Sequence, residues 1–88
     1  MNSKQKATLA DVFTDPVLAS IKWTNIEKML AAVGADISEG KGSRVRVYLN
    51  DVRAIFHRPH PEKETDKGAV KAVRRFLVTA GVTPDQED

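Results

Sequence analysis

Eighty-eight residues are enough for one domain with one modest core, and the absence of cysteine excludes disulfides, thiolate catalysis and cysteine-based zinc sites. Hydrophobic residues make up 41% and charged residues 30% of the chain, which is typical of a globular domain and not of a disordered segment. The net charge of +2 is unevenly divided along the chain: residues 1–40 sum to −1, residues 41–75 to +6 and residues 76–88 to −3. Such a basic centre favours an acidic or phosphate-rich partner over a surface that is only solvated.

The N-terminal part of the chain predicts a short helical arm within residues 1–20. Leu9, Val12 and Phe13 recur at helical spacing, and Pro16 ends any helix there because the residue before a proline is pushed out of the α region. The sequence leaves open whether this arm packs on the core, swaps to a second subunit or orders only with a partner. The polar first residues lack the apolar run of a signal peptide and no stretch resembles a membrane span, so we expect a cytoplasmic protein without membrane contact.

A second helix is predicted from about Asn25 to Val33. Thr24 and Glu27 have the spacing of a capping box, in which each side chain accepts a hydrogen bond from the other residue's amide. Gly34 follows as a C-terminal cap. The apolar face of this helix consists of Ile26, Met29, Leu30 and Val33.

Three antiparallel strands are predicted between this helix and residue 57. A short strand over Ala35–Glu39 precedes a glycine turn at residues 40–42, and strict alternation of apolar and polar residues begins at Ser43. Asn50 and Asp51 form a two-residue hairpin turn because both residue types tolerate positive φ.

The hairpin turn predicts the register of the last two strands. The pairs are Leu49 with Val52, Tyr48 with Arg53, Val47 with Ala54, Arg46 with Ile55, Val45 with Phe56 and Arg44 with His57. One face of the hairpin is then entirely apolar and takes the helices: Val45, Val47, Leu49, Val52, Ala54 and Phe56. The opposite face is mainly basic and consists of Arg44, Arg46, Tyr48, Arg53, Ile55 and His57.

A closing helix is predicted over about Gly68–Ala80, after Pro59 and Pro61 end the last strand and Asp66 or Thr65 caps the helix. Its inward stripe is Val70, Val73, Phe76, Leu77 and Ala80. Its solvent side carries Lys67, Lys71, Arg74 and Arg75. We therefore predict one α+β domain over residues 21–84, with two helices on one face of a three-stranded antiparallel sheet, followed by an acidic tail at residues 85–88.

The order and spacing of four features resemble the HicA family of bacterial toxins over roughly residues 22–84. These features are the helix ending at Gly34, the turn Gly40-Lys41-Gly42-Ser43 entering a basic strand, the segment His57-Arg58-Pro59-His60-Pro61 with Lys63 and Glu64 behind it, and the closing helix ending Ala80-Gly81-Val82. The resemblance implies a fold like that of double-stranded-RNA-binding domains, in the order α-β-β-β-α. It also implies a ribonuclease that cuts mRNA and is held inactive by a HicB antitoxin.

The resemblance also implies a catalytic histidine just after the Gly-Ser pair, where this chain has Arg44. Metal-independent RNA cleavage needs a base, an acid and positive charge on the phosphate, and histidine suits the first two roles. Because the predicted register puts His57 opposite Arg44, we predict that His57 supplies the missing imidazole and that Arg44 clamps the phosphate. The alternative for His57 is an exposed strand residue without a chemical role, and His60 is either a loop residue or an antitoxin contact.

The basic side chains around this pair predict an RNA-binding surface, on which Tyr48 stacks a base and the closing helix extends the track. The residues assigned to it are Lys41, Ser43, Arg46, Tyr48, Arg53, Arg58, Lys67, Lys71 and Arg74. Two histidines without cysteine are too few for a convincing zinc site, so no metal or cofactor is predicted.

Three hypotheses on function remain open from the sequence. The first is a HicA-like toxin, an RNA-binding endoribonuclease whose partners are mRNA and a HicB-like antitoxin. The second is a catalytically lapsed module that binds RNA or the antitoxin and keeps the fold and charge without cleavage. The third is a generic basic interaction domain.

Overall fold

The computed structural model describes residues 1–84, which form an α+β domain with an open three-stranded sheet. The predicted order of helix, three antiparallel strands and helix, preceded by an N-terminal helix, is confirmed. The elements are α1 (Ser3–Val12), α2 (Trp23–Ala32), β1 (Asp36–Glu39), β2 (Arg44–Leu49), β3 (Val52–His57) and α3 (Lys67–Thr79). The acidic tail predicted at residues 85–88 lies outside the described residues.

The β2–β3 hairpin has the register predicted from the sequence, from Leu49 opposite Val52 to Arg44 opposite His57. Asn50 and Asp51 form the turn with φ of 50° and 66°. These left-handed conformations match the right-handed twist of the two strands, so the turn and the alternation specify the same pairing.

β1 completes the sheet on the other side of β2, so the strand order is β1-β2-β3 and β2 is central. It runs antiparallel to β2, with Asp36 opposite Tyr48 and Glu39 opposite Val45. The connection is tight, because a Cβ on Gly40 would lie 3.1 Å from the Cβ of Arg44. Only glycine fits there without a shift of its neighbours.

The two faces of the sheet have opposite environments. Val45, Val47, Leu49 and Phe56 are buried against the helices, and Phe56 packs edge-on against Phe76 of α3 at 5.9 Å between ring centroids. The side chains that alternate with them are exposed to solvent. Both α2 and α3 therefore cover one face of the sheet, as predicted, and leave the basic face open.

The N-terminal arm packs on the core of its own chain, the first of the three arrangements that the sequence leaves open. Leu9 and Val12 of α1 are fully buried, and the helix contacts both α2 and α3. Asn2 and Gln5 form a capping box that satisfies two amides at its start. The helical side of the domain thus has three helices in one hydrophobic core.

The predicted capping box at Thr24 and Glu27 is wrong. Helix α2 begins at Trp23, and Lys22 occupies the N-cap without a side-chain hydrogen bond. The chain before the helix pairs instead with the segment at residues 63–65, through Trp23 N to the Lys63 carbonyl at 3.0 Å. Glu27 accepts hydrogen bonds from Trp23 Nε1 and from Arg58, so its carboxylate is unavailable as a cap.

Helix α3 is held at both ends by side chains. Asp66 caps its start, because its Oδ1 accepts a hydrogen bond from Ala69 N at 2.8 Å, as one of the two predicted caps. Beyond its last turn, the carbonyl of Ala80 accepts a hydrogen bond of 2.8 Å from Asn50 Nδ2 in the β2–β3 turn. α3 therefore runs antiparallel to β3 and fixes the hairpin against the helical layer.

Candidate functional site

The outer face of the sheet is the part of the molecule where exposed cations converge. This outer face is defined by the six outward side chains of β2 and β3, which are all exposed: Arg44, Arg46, Tyr48, Arg53, Ile55 and His57. They come from adjacent strands in three directly opposed pairs. The face therefore carries three guanidinium groups, an imidazole and a phenol ring within the span of six strand residues.

Arg44 and His57 form the pair farthest from the hairpin turn, and the backbone brings them close. The Arg58 amide donates a hydrogen bond of 2.9 Å to the Ser43 carbonyl, so Ser43 and Arg58 are a hydrogen-bonded pair. The alternation of an antiparallel ladder makes the neighbouring pair, Arg44 and His57, a non-hydrogen-bonded pair with Cα atoms about 4.5 Å apart. Their side chains stand side by side on the solvent face.

Tyr48 lies at the hairpin end of the outer face and contacts two neighbours. The guanidinium carbon of Arg53 lies 5.3 Å from the centre of its ring, within cation–π distance. Its hydroxyl donates a hydrogen bond of 2.8 Å to Asp51 Oδ1. That hydrogen bond and the negative charge of Asp51 raise the pKa of Tyr48, so the phenol stays protonated above its usual range.

A shallow depression of about 390 Å³ runs across the outer face between β1 and β3. Arg46, Tyr48, Arg53 and Ile55 line it, and Asp36 and Ser38 form its β1 side. One guanidinium nitrogen of Arg46 is already bonded within the protein, since Nη1 donates a hydrogen bond of 3.1 Å to the Glu39 carbonyl. Ile55 is 60% exposed and adds to the apolar surface between the charged side chains.

Arg58 follows β3 but belongs to an ion-pair network, although the sequence assigns it to the RNA-binding surface. Its Nη1 lies 2.6 Å from Glu39 Oε1 and its Nε lies 2.7 Å from Glu27 Oε2, with further bonds from Nη2 to both carboxylates. The hydrogen bonds to Glu39 and, to a smaller extent, to Glu27 raise the pKa of Arg58. The hydrogen bond from Arg58 in turn lowers the pKa of Glu39. A phosphate at Arg58 would have to displace a carboxylate from one of these two ion pairs.

Three cations of α3, Lys67, Lys71 and Arg74, do not extend the outer face. Arg74 is half-buried and donates hydrogen bonds of 2.9 Å to the Val12 carbonyl and 2.8 Å to the Thr14 carbonyl at the end of α1. Lys67 and Lys71 are exposed, but on the helix that covers the opposite side of the sheet. The continuous track expected from the sequence is therefore divided between two sides of the domain.

The remaining candidates lie in loops. Lys41 and Ser43 are exposed in the β1–β2 turn beside Arg44, whose amide donates to the Lys41 carbonyl at 3.1 Å. His60 is exposed in the loop between β3 and α3 and is not part of the sheet. Within residues 1–84 there is no cluster of three metal-ligating side chains. Over the same residues, no helix is both long and apolar enough to cross a membrane.

The fold and the outer face define a small α+β domain that exposes a cationic sheet surface flanked by a glycine turn. A family model described as "HicA toxin of bacterial toxin-antitoxin" matches residues 23–82, which includes both helices that cover the sheet and all three strands. The chain belongs to this family and is a toxin of a toxin-antitoxin system, and membership implies an antitoxin partner. Searches of curated proteins and of solved structures gave no match.

Proposed function

We propose that this toxin is an RNA-binding endoribonuclease that cuts mRNA without a metal ion and is neutralised by a HicB-like antitoxin as part of a type II system. The observation that carries the proposal is the Arg44–His57 pair, an imidazole beside a guanidinium on an exposed, basic sheet face. Membership of the HicA toxin family supports the same activity. An enzyme acting on mRNA would work in the cytoplasm.

The chemistry follows from the residue types in this pair. The imidazole of His57 accepts the proton of a ribose 2′-hydroxyl, the 2′-oxygen bonds to phosphorus, and the bond from phosphorus to the 5′-oxygen breaks as water protonates the leaving group. Arg44 binds the non-bridging oxygens, where negative charge increases in the transition state. Arg46 and Arg53 hold flanking phosphates, and Tyr48 supplies a ring for base stacking.

Cleavage of RNA by purified variants tests the role of His57. We expect His57→Ala to lose about 100-fold to 10,000-fold in cleavage rate, because it removes the general base. His60→Ala is the matched control, since His60 is also exposed but lies in the loop after β3 and not on the sheet. Full activity in His57→Ala would overturn the assignment, and equal losses in both variants would show that the effect is not local to the outer face.

A second function is favoured by one observation, the arginine at the position where the family resemblance places a catalytic histidine. Arg44 is a poor general base because its guanidinium stays protonated, so the domain is then a lapsed nuclease that binds RNA or antitoxin. The substitution Arg44→His separates the two functions. Inactive wild-type protein and active Arg44→His support the lapsed module, whereas active wild-type protein that loses cleavage on Arg44→His supports the Arg44–His57 pair.

The antitoxin is tested by expression in cells. We expect growth arrest when this chain is produced alone and relief when the product of the adjacent open reading frame is produced with it. A partner with a HicB-like sequence supports the proposed type II system. Continued arrest in the presence of that product would contradict it.

A further inference from the structure

The outer edge of β3 is an unpaired strand edge. β3 pairs only with β2 within the described residues, as the last strand of the sheet. Because Ser43 and Arg58 are a hydrogen-bonded pair, the ladder directs the backbone of alternate residues toward β2. The amides and carbonyls of Arg53, Ile55 and His57 therefore point away from the sheet.

A groove runs along this edge between β3 and α3. It has a volume of about 280 Å³, and its helical wall consists of Ala72, Arg75, Phe76 and Thr79. The strand side of the groove runs from Val52 to Phe56 and includes Ile55, which is 60% exposed. Arg53 and Arg75 are the charged residues among those that line it, so the groove is apolar at its base and cationic at its rim.

The edge lacks two devices that commonly prevent strand addition, a proline and a β-bulge. β3 contains no proline, and its pairing with β2 continues through all of its residues without a bulge. Its charges have one sign, which disfavours a second copy of this chain. Two β3 strands paired antiparallel about Ile55 would bring the Arg53 and Arg75 side chains of both copies to one shared groove.

We propose that the outer edge of β3 binds an extended segment of a protein partner as a fourth strand of the sheet. Alternate side chains of such a segment point to opposite faces. Those on the helical side meet Ala72 and Phe76 and are apolar; those on the other side lie beside Arg53 and His57 and are acidic. The inference goes beyond the proposed function, because strand addition at this edge requires neither RNA nor its cleavage.

The probe for this interface is a blocked peptide of alternating glutamate and valine, as long as β3. We expect amide hydrogen exchange of the full chain to slow at Arg53, Ile55 and His57 when the peptide is added, by about tenfold or more at saturation. The inward amides of Val52 and Ala54 are the internal control, since they face β2 in the free protein. Binding that leaves the three outward amides unchanged would overturn the proposal, as would the absence of binding.

Changes in the peptide test the interface without altering the protein. N-methylation of alternate peptide amides removes the backbone donors, and we expect it to abolish binding while keeping every side chain. Replacement of glutamate by lysine opposes the charges at Arg53 and Arg75, so we expect the affinity to fall roughly tenfold or more. Equal affinity for all three peptides would contradict strand addition.

Protein variants complete the test. Ile55→Pro removes an outward amide without removing a ladder hydrogen bond, so we expect it to prevent binding, whereas Ile55→Ala weakens binding only by the lost apolar contact. Arg75→Ala lowers affinity severalfold, and Lys71→Ala, also exposed on α3 but outside the groove, leaves it unchanged. The peptide-side experiments remain decisive if Ile55→Pro fails to fold.

The hydrogen-exchange measurement also distinguishes the peptide from two other occupants of the edge. Slow exchange at Arg53, Ile55 and His57 that depends on the concentration of the free protein would identify a second copy and overturn the proposal. The same protection by a short oligouridylate would identify RNA and also overturn it. The cleavage assay of His57→Ala contains no peptide, so failure of the nuclease proposal and failure of this one are distinguishable.

Discussion

Arg44 and Arg53 differ from Arg58 and Arg74 in what their guanidinium groups contact. The first two extend from the outer face into solvent, and Arg53 lies over the ring of Tyr48. Arg58 joins α2 to β1 through two carboxylates, and Arg74 binds two carbonyls at the end of α1. All four belong to the same basic segment of the sequence, residues 41–75.

The difference teaches that charge density along a chain does not measure the charge available to a ligand. Arg58 and Arg74 hold together elements that are distant in sequence, since Arg58 bonds Glu27 and Arg74 bonds Val12. These two arginines therefore hold the helices in position behind the sheet. The arginines of the outer face form no ion pairs with carboxylates within residues 1–84, so their charge is available to a ligand.

The largest expected effect concerns the outer face. We expect the combined substitutions Arg44→Ala, Arg46→Ala and Arg53→Ala to weaken RNA binding about 100-fold, because each removes a charge-assisted contact with phosphate. The slope of log affinity against log salt should fall by about 2 for single-stranded RNA. Titrations at two salt concentrations measure both quantities.

The control for that experiment is a second triple variant, Lys4→Ala, Lys6→Ala and Lys28→Ala, which removes the same charge from exposed positions on α1 and α2. We expect it to change the affinity little. Equal losses in the two triple variants would mean that net charge, and not the outer face, determines binding.

The next largest effect concerns Arg74. We expect Arg74→Ala to lower the free energy of unfolding by about 1–3 kcal/mol, since two half-buried carbonyls at the end of α1 lose their donors. Arg75→Ala, the exposed neighbour, should change it by less than about 0.5 kcal/mol. Chemical denaturation measures both. Similar values for the two variants would remove the distinction between anchoring and exposed arginines.

A smaller effect separates the two partners of Arg58. The side chain of Glu27 is 22% exposed and that of Glu39 is 72% exposed, so solvent screens the second ion pair more strongly. We expect Glu27→Gln to destabilise the fold by about 1–2 kcal/mol and Glu39→Gln to destabilise it less. Thermal unfolding of the two variants checks the order, and a larger effect of Glu39→Gln would reverse it.

The smallest effect is the pH dependence of Glu39. Its pKa is lowered from 4.5, chiefly by the hydrogen bond from Arg58, so the ionised form is favoured in the folded state. The resulting stabilisation is present above the unfolded pKa and is lost as the pH falls through the lower, folded pKa. An NMR titration of the Glu39 carboxyl carbon should show its midpoint rising in Arg58→Met. An unchanged midpoint would contradict the ion pair.

The hairpin and the outer face could be predicted from the sequence because their information is local. Alternation from Val45 to Phe56 and a turn of Asn50 and Asp51 leave one register that places the alternating apolar residues on the helical side of the sheet, with Ile55 as the exception, and that register is observed. The Arg44–His57 pairing follows from the same register. Ile55 is marked as exposed by its place in the alternation, although sequence reasoning assigns it no role.

The contacts that could not be predicted join residues far apart in the chain. Thr24 and Glu27 have the spacing of a capping box, but Glu27 is engaged by Arg58 across the domain, and strand-like pairing at Lys22 sets the start of α2. Arg74 has helical spacing with Lys67 and Lys71, but it reaches α1 instead of solvent. Periodicity gives the face of an element and not the partner of a polar side chain.

The hydrogen bond from Asn50 to the Ala80 carbonyl has a consequence for how the domain opens. It joins a turn formed by neighbouring residues to a helix end that is 30 residues away in sequence. Glycine at position 50 would suit the backbone of the turn, but it would release that carbonyl. This hydrogen bond therefore couples the hairpin tip to the end of α3, and we expect the opening of one to favour the opening of the other.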